Sequence, residues 1–161
     1  MRKIAILGTL VLLCLLIGMV SAQQLAISNV TNIQKNAIAD MNVTIQHSTK
    51  NIAIIDLTFT YNPAVISVNS FIANSSLCSV WAYSIDNDAG VSGVTLQPFD
   101  PFNGINAKNP LKVMSVNVKS LKDDGSWTWN NITPNEITEN TSSQDITSEF
   151  YGHISNGFLS T

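Results

Sequence analysis

From Ile55 to Tyr61 apolar and polar residues alternate without a fault: Ile55, Asp56, Leu57, Thr58, Phe59, Thr60, Tyr61. Asn62-Pro63 then ends the run. Successive side chains of an extended strand point to opposite faces, so this stretch carries one apolar side and one polar side. A strand of that kind needs a second layer over its apolar side and water on the other.

The same period returns along nearly the whole chain, and no stretch keeps a helical period for three turns. Leu25 and Ile27 open a short strand, and Ala39, Met41, Val43 and Ile45 make an apolar side opposite Asp40, Asn42, Thr44 and Gln46. Ile66-Ser67-Val68 follows the Pro63 turn. Trp81, Tyr83 and Ile85 alternate up to Asp86-Asn87-Asp88-Ala89-Gly90, a cluster of turn formers that reads as a hairpin into Val94-Thr95-Leu96. The proline-rich stretch 98–110 reads as a long loop. Met114, Val116 and Val118 mark another strand, ended by Lys122-Asp123-Asp124-Gly125, and Trp127 and Trp129 open the next. The polar stretch 130–148 shows no period and is assigned no element. A last strand is expected within 150–159, broken at Gly152 or Gly157. About nine one-sided strands predict an all-β, antiparallel two-sheet sandwich.

The N-terminus stands apart. Arg2 and Lys3 precede an apolar run from Ile4 to Val20, and Val20-Ser21-Ala22 supplies small residues for cleavage. That is the pattern of a secretory signal peptide, residues 1–22 cut after Ala22, followed by one domain, 23–161. Left uncut, the same run is long enough to anchor the chain in a bilayer. The location expected is secreted or cell surface. Cleavage leaves 139 of the 161 residues, enough to bury about two-thirds of the unfolded surface without a disulfide or metal. Cys78 is then the one remaining cysteine and reads as a small buried apolar side chain. Losing Arg2 and Lys3 moves the formal charge from −3 to −5, which argues against nucleic acid and anionic membrane surfaces as partners. Asn29, Asn42, Asn74, Asn131 and Asn140 each head a glycosylation sequon, which matters only in an exported chain.

Groups that do chemistry are scarce. His47 and His153 are far apart in sequence with no carboxylate at metal-ligand spacing. There is no Gly-x-Ser-x-Gly elbow and no Gly-rich phosphate loop. Asp86-Asn87-Asp88 begins like a calcium loop but has Gly90 where the third ligand belongs. No enzyme, cofactor or metal is expected. Trp127 and Trp129 share one side of a strand and serve either as core or as a stacking platform for sugar rings; Trp81 reads as core.

Several segments resemble the cohesin domain in order along the chain. Tyr61-Asn62-Pro63 with Ile66-Ser67-Val68 is similar to the cohesin third strand, which ends in Tyr-Asp-Pro before a turn and a Leu-x-Val strand. The stretch 83–96, "YSIDNDAGVSGVTL", resembles the hairpin of cohesin-like domains exported by methane-producing archaea. "LKVMSVNVKS" (111–120) and "ISNGFLST" (154–161) resemble later strands. The resemblance implies a nine-stranded jelly roll related to carbohydrate-binding modules. It also implies a non-catalytic module that grips a dockerin-type or other extracellular protein, in assemblies that degrade polysaccharides. The contact face in the family is the flat sheet holding the Tyr-Asp-Pro strand, which puts Asp56, Thr58 and Thr60 in the contact. An acidic residue five places before the Tyr accepts hydrogen bonds from dockerin hydroxyls in some cohesins, and Asp56 stands there. Ile54 replaces an Asn common in the family, and Asn62 replaces the Asp of Tyr-Asp-Pro. The alternatives are a carbohydrate-binding module working through Trp127 and Trp129, or a passive envelope domain.

Overall fold

The computed structural model describes residues 23–48, 50–140, 142–151 and 153–161. The expected signal segment and its Ala22 cleavage site lie outside them. The strands are β1 (Gln24–Ile27), β2 (Ile38–Gln46), β3 (Asn51–Thr60), β4 (Ile66–Ala73), β5 (Cys78–Asp86), β6 (Val91–Pro98), β7 (Ile105–Asn106), β8 (Leu111–Ser120), β9 (Trp127–Glu139), β10 (Ile154–Ser155) and β11 (Gly157–Ser160). They form two stacked sheets. A back sheet runs β10-β1-β2-β8-β4, and a front sheet runs β11-β9-β3-β6-β5 with β7 paired to β3. The chain crosses between the sheets at most of its connections, which is how a sandwich covers both inner faces at once.

The alternation that defined the opening strand decides what is inside. Ile55, Leu57 and Phe59 of β3 are essentially fully buried and meet Met41, Val43 and Ile45 of β2 in one continuous core. Each such side chain contributes about 1.5–3 kcal/mol by leaving water. Cys78 lies in the same core, and burial pushes its thiol up from the ordinary value.

A polar clamp fixes one end of the sandwich. Tyr61 donates its hydroxyl to Asn87 Oδ1 at 2.7 Å and lies 3.1 Å from Ser92 Oγ. Asn87, in the β5–β6 turn, accepts from the Val68 N–H at 2.8 Å and donates to the Val68 carbonyl at 3.0 Å. Gly90 closes the turn at φ +68, where an added Cβ would stand 2.3 Å from the Tyr61 carbonyl oxygen. Only glycine accepts both that backbone angle and that approach.

Four expectations need correcting. The strands number eleven among the described residues, because β7 appears inside the predicted loop and the C-terminal strand divides into β10 and β11. The sheets are not wholly antiparallel, since β10 runs parallel to β1. β9 continues through the stretch left without an element, as far as Glu139. Its period is hidden by Pro134 and by a bulge that leaves Asn135 unpaired between Pro134↔Leu57 and Glu136↔Asp56. Ile132, Ile137 and Glu139 turn their N–H groups away from β3, to Asn156 Oδ1, Thr147 Oγ1 and the Gln144 carbonyl. Pro134 belongs to the same series, so its missing N–H breaks no ladder bond.

Trp81 is the fourth. It is 71% exposed. The pairing steps from Val80↔Leu96 to Ala82↔Thr95, so Trp81 is an extra residue in β5 and the bulge turns it onto the outer face. Tyr83 keeps the inner side but lies at the open edge, 67% exposed. There it meets Phe71 edge to face, with ring centroids 6.3 Å apart.

Candidate functional site

Because Ile55, Leu57 and Phe59 of β3 are committed to the core, Ile54, Asp56, Thr58 and Thr60 form the middle of the front sheet's outer face. Asp56 lies opposite Thr95 on β6 and Glu136 on β9. Thr58 lies opposite Gly93 and Thr133, and Thr60 opposite Val91 and Asn131. Asp56, Thr58 and Thr60 are all half-buried by these neighbours.

A hydrogen-bond network holds the carboxylate. Asn135, pushed outward by the β9 bulge, donates from Nδ2 to Asp56 Oδ1 at 2.8 Å and to Thr58 Oγ1 at 2.9 Å. Thr95 donates from its hydroxyl to Asp56 Oδ2 at 3.3 Å. Asn131 Nδ2 reaches Thr60 Oγ1 at 3.5 Å. Both amide hydrogens of Asn135 are therefore used, and the Asp56 oxygens are fixed in direction. A carboxylate offers about four acceptor positions, so acceptor capacity remains toward solvent. Gly93 leaves the surface open beside it, giving a depression of about 360 Å³ lined by Asp56, Thr58, Ala82, Ser84, Thr95 and Asn135.

Next to that depression, sharing Thr95, is an apolar groove of about 280 Å³ between Ile54, Trp81 and Gln97. Ile54 is 36% exposed on the central strand. Asn135 and Thr95 were not singled out by the sequence reading, and Trp81 was read as core, because each reaches Asp56 or Ile54 only through strand register and bulges.

Trp127 and Trp129 lie in β9, paired to Ser160 and Phe158 of β11, and their side chains fall outside what the structure describes. Among the sequon asparagines Asn29 and Asn131 are exposed, while Asn42, Asn74 and Asn140 are half-buried. Asn42 accepts from Ser115, and Asn74 donates to the Lys112 carbonyl. Among the described residues, no three His, Cys, Asp or Glu side chains gather where they could hold a metal ion, and no helix is long and apolar enough to cross a membrane.

The geometry is that of an open sheet face with a positioned carboxylate, hydroxyls on either side and an apolar groove beside them. Comparison with known protein families and with curated proteins finds no match. Solved structures match in fold. A cohesin from a type I cohesin–dockerin complex of Clostridium thermocellum superposes with TM-score 0.68 at 12% identity, covering 86% of this chain and 92% of that one. The sixth cohesin of scaffoldin B from Acetivibrio cellulolyticus, solved with a dockerin, gives TM-score 0.63 at 17% identity over 86% and 98%. A non-cellulosomal cohesin from the hyperthermophilic archaeon Archaeoglobus fulgidus gives 0.65 at 14% over 87% and 91%. The chain is a cohesin-like domain in fold.

Proposed function

We propose that this chain is a non-catalytic docking module, residues 23–161, exported by a signal peptide of residues 1–22. Its front sheet grips a dockerin-type or other extracellular protein at or outside the cell surface. Asp56 is the central acceptor, with Thr58 and Thr60 beside it. A polysaccharide-related assembly is the setting that the cohesin resemblance favours. The observation that carries the reading is the Asp56 carboxylate, half-buried on the outer sheet face and aimed by Asn135 and Thr95. A strand interior disfavours Asp on propensity alone. The fold supports the partner class, since the cohesins from Clostridium thermocellum and Acetivibrio cellulolyticus were crystallised with dockerins.

Calorimetry of the full chain against a panel of calcium-loaded dockerins tests the proposal. Binding is expected for at least one, and Asp56→Ala should weaken it by about 1–3 kcal/mol. A folded chain that binds none of the panel rejects a dockerin-type partner. Full affinity in the Asp56→Ala variant removes this carboxylate from the contact.

A second reading is favoured by one observation. Trp81 presents an exposed ring beside Gln97, and aromatic faces with nearby amides stack on sugars. A Trp81→Ala-sensitive fluorescence response to soluble polysaccharide, without any dockerin binding, would select it.

A further inference from the structure

Asn29, Asn42, Asn74, Asn131 and Asn140 each head an Asn-x-Ser or Asn-x-Thr triplet, and the docking reading gives none of them a role. An N-linked sugar is bulky and needs a side-chain nitrogen at the surface of the folded chain. The fold sorts the five by what each side-chain amide already does.

Three are committed inward. Asn74 donates from Nδ2 to the Lys112 carbonyl at 2.9 Å, and its Oδ1 accepts from the Ser76 N–H at 3.1 Å. Asn140 donates from Nδ2 to the Phe102 carbonyl, and a Cβ added at Gly104 would stand 3.1 Å from its own. Asn42 lies within β2, between β1 and β8, and accepts from the Ser115 hydroxyl at 3.0 Å. All three are half-buried.

Asn131 and Asn29 are exposed. Asn131 is held within a sheet, on β9 between β3 and β11, with Nδ2 3.5 Å from Thr60 Oγ1. Asn29 stands instead in the connection from β1 to β2, at the flank where the two sheets meet: Val30 beside it bridges to Leu159 of β11. Its Oδ1 accepts from the Phe158 N–H at 2.9 Å, which leaves Nδ2, on the other arm of the amide, to solvent. An amide substituted at nitrogen keeps its oxygen, so that hydrogen bond survives modification. Thr31, the hydroxyl residue of the triplet, is exposed two places on.

From this sorting we infer that Asn29 is an N-glycosylation site of the exported chain. The donor is an oligosaccharide linked to a lipid phosphate. Asn29 Nδ2 bonds to the anomeric carbon of the first sugar as the bond from that carbon to the phosphate oxygen breaks. The lipid phosphate leaves with the electron pair, and one amide proton passes to a base on the transferase. The inference rests on the export stated above. β11 and β9 separate the flank from β3, so a sugar on Asn29 leaves Asp56 and Thr58 clear.

The test is peptide mass spectrometry of the full chain recovered from outside the cytoplasm of the cells that make it. Cleavage after lysine gives a peptide ending at Lys35 that holds Asn29 and no other triplet of this kind. That peptide should carry an oligosaccharide in most molecules, while Asn74 and Asn140 should be bare. Thr31→Ala should remove the sugar with Asn29 and its bond to Phe158 left in place, circular dichroism showing an intact fold. Thr31→Ser, which keeps the hydroxyl, should retain it. An exported chain with Asn29 bare overturns the inference and leaves the docking reading standing. A sugar that persists on the Lys35 peptide in Thr31→Ala overturns it too, because the attachment then does not follow the triplet. A chain found only in the cytoplasm overturns export and the inference together, and calorimetry still decides docking.

Discussion

On the back sheet's outer face Asn117 donates to Asp40 at 2.6 Å and accepts from Asn69 at 3.1 Å. On the front sheet's outer face Asn135 donates to Asp56 at 2.8 Å and exchanges hydrogen bonds with Thr58. Both walls of the sandwich are thus wet surfaces laced by a carboxylate and an asparagine, and both keep β-rich sequences soluble. They part in what surrounds the carboxylate. Asp40 is exposed, and its sheet also carries Lys112 and Lys119 on β8. Asp56 is half-buried on a sheet whose five main strands hold no cation. The exposed isoleucines of the back sheet, Ile38 and Ile72, stand at a strand end and on the edge strand β4. Ile54, in contrast, is on the central strand and walls a groove with Trp81. Solubility explains a polar ladder; it does not explain acid without counter-charge beside an apolar recess.

The largest effect should come from the residues that the two faces share. Leu57→Ala empties a fully buried position between the sheets and is expected to cost about 2–5 kcal/mol in denaturant unfolding. Its neighbours Asp56→Ala and Thr58→Ala, on the wet side, should each cost no more than about 1 kcal/mol. Comparable losses at Leu57 and Thr58 would mean that the face is part of the core after all, and the comparison of two outer surfaces would fail.

Next in size is the contrast in binding. If the front face docks a partner, Asp56→Ala weakens it by about 1–3 kcal/mol, while Asp40→Ala on the back face leaves calorimetric affinity unchanged. Equal losses would break the asymmetry drawn here. The two asparagines sharpen it further. Asn135→Ala and Asn117→Ala each remove a donor to a carboxylate and should cost stability alike, about 1 kcal/mol. Only Asn135→Ala should also lower affinity, because it frees the Asp56 carboxylate to turn.

How far these surfaces were legible in advance follows from what a period can and cannot carry. Leu57 and Phe59 inside with Asp56 outside was readable, because alternation in a strand depends on the chain alone. So was the Asp86–Gly90 turn, since Asn87 and Gly90 are turn formers wherever they stand. Trp81 was misread as core because one extra residue in β5 reverses the side on which an aromatic falls, and nothing local announces a bulge. Asn135 was invisible for the same reason: its reach to Asp56 exists only in the register of β9 against β3. The stretch through Pro134 looked irregular because the proline and the bulge interrupt the period that Ile132 and Ile137 otherwise keep.

The smallest effect should be blind to the difference between the faces, since it acts on the clamp that joins them. Tyr61 directly follows the front sheet's central strand, and its hydroxyl meets Asn87, which holds both backbone groups of Val68 in the back sheet. Burial pushes the Tyr61 phenol above its ordinary 10.0, against a lowering by the Ser92 hydrogen bond. Below pH 10.0 the phenol is protonated in both folded and unfolded chains, and its contribution to stability is fully present. Above that pH the unfolded chain releases the proton first, so stability falls as pH rises through the folded value. Cys78, also pushed up by burial from 9.0, adds an alkaline slope of its own. The difference between wild type and Tyr61→Phe isolates the phenol: the variant should lose part of the alkaline decline in denaturant midpoints measured from pH 9 to 11. If the front face docks a partner, its affinity at neutral pH should stay the same in Tyr61→Phe. An unchanged alkaline slope would show that the hydroxyl is solvated. The clamp would then not be what ties β3 to the opposite sheet.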